Sequence, residues 1–182
     1  MGTTIYSIKD DTVVQITGLP RITPGAPDPL IFADERKVVM SYWVAQPTEI
    51  ELAKARSHPD RTDGPDVYAI FCFRGVHSHM FGYPNEEAYD GHPLTSRGLR
   101  PFGIYEVGKS SWIARMEHMN SVHPAHTKDM FDSLRHLVFG FHDSTFEILT
   151  REFDLDLMND HSNRINVFPR MRELLRPLNE EM

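Results

Sequence analysis

Short runs of β-branched and aromatic residues, each bounded by Pro, Gly or Asp, dominate the first half of the sequence. The clearest runs are TVVQITGL (12–19), KVVMSYWVA (37–45) and VYAIFCF (67–73). Residues of this kind favour the pleated, half-buried surface of a sheet, whereas the bounding residues favour turns. The pattern therefore predicts three β-strands, and we expect them to lie in one sheet.

Helical signals become prominent in the second half. In SSWIARMEHMNSV (110–122) apolar residues recur with the period of one helix face, and AHTKDMFDSLRHL (125–137) shows comparable spacing. Earlier in the chain, TEIELAKAR (48–56) begins with Thr48 and carries Glu51 three residues later, which is the pattern of a capping box. We therefore predict a short early helix and a later pair of helices whose apolar stripes belong to the core.

Two alternating apolar segments follow the helical pair. HLVFGF (136–141) and TFEILTREF (145–153) enclose a turn-like HDS, which predicts a β-hairpin, and PRMRELLRPL (169–178) predicts a short amphipathic helix. Strands, then two helices, then a hairpin favour an α+β fold over alternating strands and helices. We expect a mainly antiparallel sheet, with a curved or barrel-like shape as one option. The helical pair is inserted before the C-terminal β-hairpin and the short C-terminal helix.

Length and charge limit the domain count and the partners. A chain of 182 residues suits one ordinary globular domain, so we predict a single domain over 1–182. The net charge of -7 and the pI near 5.8 oppose a general affinity for nucleic acid or for anionic membranes, which need a concentrated basic face. The sequence also contains no apolar run long enough to span a bilayer. We expect neither nucleic acid nor membrane as a partner.

The only cysteine of the chain is Cys72. A single cysteine cannot form an internal disulfide, which fits a reducing compartment, and no secretory signal pattern precedes the first strand. We therefore expect a cytoplasmic location. Because Cys72 lies inside an apolar stretch, we expect its thiol to be buried and unreactive.

Histidines are concentrated in the middle of the chain. Of the ten in the sequence, eight lie between 77 and 142: His77, His79, His92, His118, His123, His126, His136 and His142. In a strand, His77 and His79 point to the same face and can bind one metal ion together. His92 or Glu86 can supply a third ligand, which with a water makes an open zinc site. The alternative is that these histidines are solvated or hydrogen-bonded structural residues.

The His-x-His pattern at His77 and His79 resembles the metal-binding strand of the cupin family. That strand carries His-x-His followed by a glutamate and then a glycine, with another histidine further along the chain. The resemblance covers about fifteen residues and implies a metal site. It departs from the family pattern because Glu86 lies seven residues after His79 and because Pro84 interrupts the strand.

Two other histidine-rich segments carry candidate acid and base groups. In EHMNSVHPAH (117–126) the His-Glu-x-x-His motif is absent, so helix capping is the preferred interpretation and His123 is an alternative proton carrier. In FHDSTFE (141–147) the three triad residue types are neighbours in one turn, whereas a relay needs convergence from separate elements. The nucleophile-elbow pattern Gly-x-Ser-x-Gly is also missing. His142 remains a candidate as a single acid or base.

Three functions of different classes fit these patterns. The favoured one is a binding module for a small ligand or a protein, which uses the polar loop 77–100 with Asn85, Glu86, His92 and Arg97 as binding residues. The second is a hydrolase-like enzyme dependent on a divalent metal such as zinc, and the third is a structural subunit that forms a homodimer. No glycine-rich phosphate loop is present, so no nucleotide cofactor is expected.

Overall fold

The computed structural model describes residues 9–57, 66–160, 164 and 166–176. The chain divides into two compact units, each assembled from two stretches of sequence. The first unit is formed by the described parts of Met1–Leu19 and His77–Arg151, and the second by those of Pro20–Val76 and Glu152–Met182. The single domain stays a prediction, because a division by contacts does not measure whether either unit folds without the other.

The described residues form strands and helices with the following bounds. The strands are β1 (Thr12–Gln15), β2 (Leu30–Ala33), β3 (Lys37–Trp43), β4 (Arg56–Ser57), β5 (Val67–Arg74), β6 (Ser78–Gly82), β7 (Ile104–Gly108), β8 (Arg135–Gly140), β9 (Thr145–Thr150) and β10 (Glu152–Asn159). The α-helices are α1 (Glu49–Lys54), α2 (Ser111–Asn120), α3 (Asp129–Asp132) and α4 (Val167–Leu175). Two 3₁₀ helices, Tyr89–Gly91 and Pro93–Arg97, lie between β6 and β7.

The first unit contains an antiparallel sheet with the strand order β1-β7-β8-β9-β6. Its centre is the predicted hairpin of β8 and β9, in which Val138 lies opposite Glu147 and Phe139 lies opposite Phe146. Side chains alternate between the two faces of a strand, so one face of this hairpin carries Val138 and Glu147 and the other carries the phenylalanines. The hairpin prediction is confirmed. Glu147 is then a carboxylate placed inside a strand in which every residue is buried.

A layer formed by α2 and the two 3₁₀ helices covers the Glu147 face of this sheet. The buried residues of this core are Tyr89, Leu94, Leu99, Tyr105, Val107, Trp112, Val138 and Leu149. The segment after β6 therefore contributes side chains to the core instead of forming a loop that is polar throughout. The close approach depends on Gly140, because a Cβ at this position would lie 2.6 Å from the hydroxyl oxygen of Tyr89 and 3.1 Å from the Cα of Pro101.

Helix α2 begins at a turn fixed by several polar contacts. Lys109 has a φ of 52°, which turns the chain sharply between β7 and the helix. Ser110 is the N-cap residue, and its Oγ accepts a hydrogen bond from the Ile113 N–H at 3.2 Å. The next residue, Ser111, donates both its backbone N–H and its hydroxyl to the Asp11 carboxylate, at 2.8 and 2.7 Å. The N-terminus of α2 is thereby held against the start of the chain's first strand.

The helical pair is present but less regular than the sequence suggests. On α2 only Trp112 of the predicted apolar stripe is fully buried, and Met119 is 56% exposed. The second helix is limited to α3, because the residues from Arg135 onward pair with β7 and β9 as strand β8. Sheet pairing by apolar residues has thus overridden the helical period of AHTKDMFDSLRHL.

The second unit contains a sheet with the strand order β2-β3-β5-β10-β4. All its pairs are antiparallel except β10 with β4. Helix α4 packs Val167 and Met171 against Val39, Ile70 and Cys72. The predicted capping box of α1 is confirmed, since the Thr48 and Glu51 side chains each bond the other residue's backbone N–H. The predicted C-terminal helix over 169–178 is present as α4, and residues 177 and 178 of that segment lie outside the described residues.

Cys72 is buried in this second core and forms no disulfide. Burial raises the pKa of its thiol above the usual value, which leaves less of the reactive thiolate at neutral pH.

The α+β class and the mainly antiparallel sheet structure are confirmed. The expectation of one shared sheet is wrong: the residues of TVVQ pair with β7 in the first unit, whereas KVVMSYW and VYAIFCFR pair with each other in the second. Neither sheet closes into a barrel within the described residues, because each strand order has two ends. No helix in the described part of the chain is long and apolar enough to cross a bilayer.

Candidate functional site

Four buried polar side chains of the first unit form one continuous hydrogen-bonded chain. The Ser110 Oγ lies 2.9 Å from His136 Nδ1, and His136 Nε2 lies 3.0 Å from Glu147 Oε2. The other carboxylate oxygen, Glu147 Oε1, lies 3.2 Å from His92 Nε2. Each of the four residues is at most 6% exposed. We call this group the Ser110–His92 chain.

Four separate elements bring these residues together. His136 and Glu147 lie on adjacent strands of the β8–β9 hairpin and point to the same face, since His136 pairs with Leu149 and Glu147 is two residues away on that strand. Ser110 is presented by the N-terminus of α2. His92 lies at the junction of the two 3₁₀ helices. The geometry therefore depends on the sheet register and on the covering layer together.

Backbone contacts fix the tautomer of His92. Its Nδ1 accepts a hydrogen bond from the Leu94 N–H at 3.2 Å, so that nitrogen carries no proton. The proton of the neutral ring is therefore on Nε2, which donates to Glu147 Oε1. His92 holds one side of the carboxylate in place and leaves the other oxygen for His136.

The Glu147 carboxylate stays ionised although it is buried. Burial alone raises the pKa of a carboxyl group, but the hydrogen bonds from His136 and His92 outweigh this effect and lower the pKa of Glu147 to about 2. Because the Glu147 carboxylate can only accept hydrogen bonds, its bond with His136 requires a proton on His136 Nε2. In the neutral ring Nδ1 is then an acceptor, and the Ser110 hydroxyl donates to it.

The His136 ring is shielded from water. It is fully buried, and the Trp112 ring packs edge-on against it with a centroid separation of 5.1 Å and an interplanar angle of 80°. A low-dielectric environment strengthens the hydrogen bonds to Glu147. Ser110, in contrast, forms part of the wall of a cavity.

This cavity has a volume of about 410 Å³ and lies beside the N-terminal half of α2. Its lining includes Ser110 and the apolar side chains of Val107, Ile113, Phe131 and Leu134. Its charged lining residues are Lys109, Lys128, Arg135, Glu106, Glu117 and Asp132. We call it the α2 cavity.

The six charged residues that line the α2 cavity are three basic and three acidic, so their formal charges balance. Arg135 and Glu106 bind each other with an Nη2–Oε2 distance of 2.7 Å. The Glu117 carboxylate lies 3.3 Å from His126 Nε2. Lys109, Lys128 and Asp132 are exposed. The lining therefore combines an apolar wall with a charged rim, on which two exposed ammonium groups can bind an anionic group.

The structure does not bring the three predicted metal ligands together. The His77 ring packs against Phe131 at 5.0 Å, and the His79 ring packs against Phe146 at 6.2 Å. His79 pairs with Ile148, so it points to the face of the sheet opposite to the one on which Glu147 contacts His92.

The predicted ligand-binding residues of loop 77–100 all have partners within the chain. Asn85 Oδ1 accepts from the Ala88 N–H at 3.2 Å, and Arg97 Nη2 donates to the backbone oxygen of Lys9 at 3.0 Å. Glu86 Oε1 lies 3.2 Å from His142 Nε2, and His92 belongs to the Ser110–His92 chain. These contacts give the four residues structural roles, and their ligand-binding role stays a prediction.

The two predicted proton carriers lie away from the Ser110–His92 chain. His123 is exposed, and its Nδ1 accepts a hydrogen bond from the Ala125 N–H at 3.1 Å, which stabilises the turn after α2. His142 lies between two carboxylates, with its Nδ1 2.9 Å from Asp143 and its Nε2 3.2 Å from Glu86. Both ring nitrogens of His142 are therefore placed to donate, which favours the charged imidazolium.

We expect a raised pKa for His142 in a histidine-resolved NMR titration. The hydrogen bond to Asp143 is the main cause, and the negative charge of Glu86 adds to it, so the pKa lies above the usual 6.5. Asp143→Asn lowers the pKa more than Glu86→Gln does. A wild-type pKa at or below 6.5, or no change in Asp143→Asn, would contradict this geometry.

Sequence reasoning missed Ser110 and Glu147 as members of a site. The sequence indicated no site role for Ser110, which in the structure is also the N-cap residue of α2. Glu147 had a readable signal, because a carboxylate within the apolar run TFEILT must be paired if that run is a buried strand. The partner could not be chosen from eight nearby histidines without the strand register.

Comparison of the chain with family models, with curated proteins and with solved structures finds no match. Among the described residues, no group of three or more His, Cys, Asp or Glu side chains is arranged to hold a metal ion. The Ser110–His92 chain and the α2 cavity are therefore the features from which we infer a function.

Proposed function

We propose that the first unit binds a small organic molecule in the α2 cavity. The observation that carries this proposal is the cavity itself, whose volume of about 410 Å³ lies within the usual range of small-molecule sites. Its wall offers apolar contacts on one side, and a few polar groups, Ser110 among them, can orient a ligand. This is the small-ligand version of the binding module that the sequence favours, with the binding site placed at α2 instead of in loop 77–100.

The apolar wall and the two exposed lysines of the rim suggest the chemistry of the ligand. A molecule with a flat or branched apolar body fits between Ile113, Phe131 and Leu134. An anionic or strongly polar end fits near Lys109 and Lys128. In this proposal loop 77–100 acts indirectly, because it supplies His92 and the core residues that hold the Glu147 side of the site. A cytoplasmic location is part of the same proposal, supported by the buried, unpaired Cys72.

The binding proposal is tested with 2-naphthoate, an aromatic carboxylate that matches both features of the cavity. We expect it to perturb the backbone amide NMR signals of Ile113 and Phe131. Ala114→Trp places a large ring at the cavity lining and weakens binding by at least about tenfold. Met119→Trp is the matched control, since Met119 lies on the same helix, is 56% exposed and does not line the cavity. Equal binding by the two variants, or no shift at Ile113 and Phe131, would contradict the proposal.

A further inference from the structure

We propose that Ser110 is the nucleophile of an acyl-transfer site, with His136 as its base and Glu147 as the group that orients and stabilises His136. The substrate class is a carboxylic ester or thioester with an apolar acyl group. This inference rests on the proposed function, because the substrate must occupy the α2 cavity. It adds a chemical activity and a covalent intermediate to what is otherwise a binding site.

The geometry of Ser110, His136 and Glu147 meets the needs of a catalytic relay. A serine-histidine-carboxylate relay needs the nucleophile within hydrogen-bond reach of the base and the base within reach of the carboxylate, with the groups supplied by separate elements. Ser110 comes from α2, His136 from β8 and Glu147 from β9, and the two contacts measure 2.9 and 3.0 Å. The neighbouring residues of FHDSTFE cannot meet this condition, whereas these three do.

The positions of the protons agree with this assignment. Because Glu147 is ionised and His136 Nε2 donates to it, His136 Nδ1 carries no proton in the neutral ring and is the atom that receives the Ser110 proton. Ser110 Oγ has two lone pairs, and within the described part of the chain it accepts one hydrogen bond, from the Ile113 N–H. One lone pair is thus left for attack on a carbonyl carbon. His92 keeps the second carboxylate oxygen in place from the opposite side.

The environment of Ser110 suits a nucleophile. His136 and Glu147 are enclosed, so their interaction is not weakened by water, while Ser110 forms part of the cavity wall. The positive end of α2 begins at Ser110, and the ammonium group of Lys109 is carried by the preceding residue. The helix dipole and the ammonium group both stabilise negative charge on a substrate carbonyl oxygen that lies at the N-terminus of α2.

The reaction follows from these positions. The Ser110 oxygen forms a bond to the carbonyl carbon, and the hydroxyl proton passes to His136 Nδ1. The bond from the carbonyl carbon to the leaving alcohol or thiol then breaks, and the leaving group takes that proton, which leaves acyl-Ser110. A water molecule then attacks the acyl group, with His136 again as the base. This step releases the carboxylic acid and restores the serine hydroxyl.

The test is covalent labelling of the full-length protein with an alkyl fluorophosphonate, followed by peptide mass spectrometry. The serine oxygen displaces fluoride from phosphorus, so one label on Ser110 is expected. Ser111→Ala is the matched control, because its hydroxyl is held by Asp11, and it should label normally. Ser110→Asn keeps an N-cap oxygen but has no nucleophile, and it should not label. His136→Gln slows labelling at least about 100-fold.

The outcomes separate this inference from the binding proposal. Binding of 2-naphthoate in the α2 cavity without any label on Ser110 overturns the acyl-transfer site and leaves the binding site intact. Labelling of Ser110 at an unchanged rate in His136→Gln overturns the relay. Absence of both naphthoate binding and labelling overturns the two proposals together. Thermal unfolding of every variant checks that the variants that label and those that do not are folded alike.

Discussion

Replacing Glu147 by glutamine is expected to lower the free energy of unfolding by about 3 kcal/mol. The carboxylate accepts bonds from two histidine Nε2–H groups, and a side-chain amide offers an oxygen to only one of them. The NH₂ group of the glutamine then faces the Nε2–H of the other histidine in a site that excludes water. Urea unfolding of wild type and variant, followed by far-UV circular dichroism, measures the loss.

Glu106→Gln is the matched control for this experiment. Glu106 lies in the same sheet and pairs with Arg135, but the two side chains are 39% and 36% exposed. A pair with this much solvent contact contributes at most about 1 kcal/mol. If the two glutamate substitutions lowered stability equally, the Ser110–His92 chain would have no special importance for the fold.

The largest pH effect on stability is expected below pH 4.5 and has the same origin. The pKa of Glu147 is about 2 in the folded protein and 4.5 ordinarily, so the unfolded chain binds a proton at a higher pH than the folded chain does. Its contribution is complete above pH 4.5 and is lost as the pH falls towards 2. A shift of this size corresponds to about 3 kcal/mol.

The measurement is the difference in unfolding free energy between wild type and Glu147→Gln at several pH values. Other carboxyl groups with lowered pKa, such as Asp34 and Glu106, add to the acid sensitivity of both proteins and cancel in this difference. We expect the difference to be constant from pH 7 to about 5 and to shrink below pH 4.5. A difference that is independent of pH down to 2 would show that Glu147 is not held as a carboxylate.

The local part of the fold was predictable from the sequence. The β8–β9 hairpin follows from two alternating apolar segments joined by a turn, and α1 follows from Thr48 and Glu51. Distant pairing was not predictable in the same way. TVVQ and KVVMSYW are equally strand-like, and nothing in either run indicates that the first pairs with β7 while the second pairs with β5. Which strands pair depends on the complementarity of whole surfaces.

The candidate site shows the same division between local and distant information. The concentration of histidines between 77 and 142 pointed to the right region, but the sequence favoured His77 and His79, whose rings pack against Phe131 and Phe146 in the structure. The chain that the structure contains uses His92 and His136 instead. Their meeting at Glu147 requires the register that places Val138 opposite Glu147 and the covering position of the 3₁₀ helices. No spacing along the sequence contains that information.

The proposed relay from Ser110 to His136 depends on which nitrogen of the His136 ring carries the proton. A long-range ¹H–¹⁵N NMR spectrum of the histidine side chains at neutral pH distinguishes ring nitrogens that carry a proton from those that do not. We predict a proton on Nε2 of both His92 and His136 and none on His136 Nδ1, which faces Ser110. A proton on His136 Nδ1 at neutral pH would contradict the account, because Ser110 would then have no base.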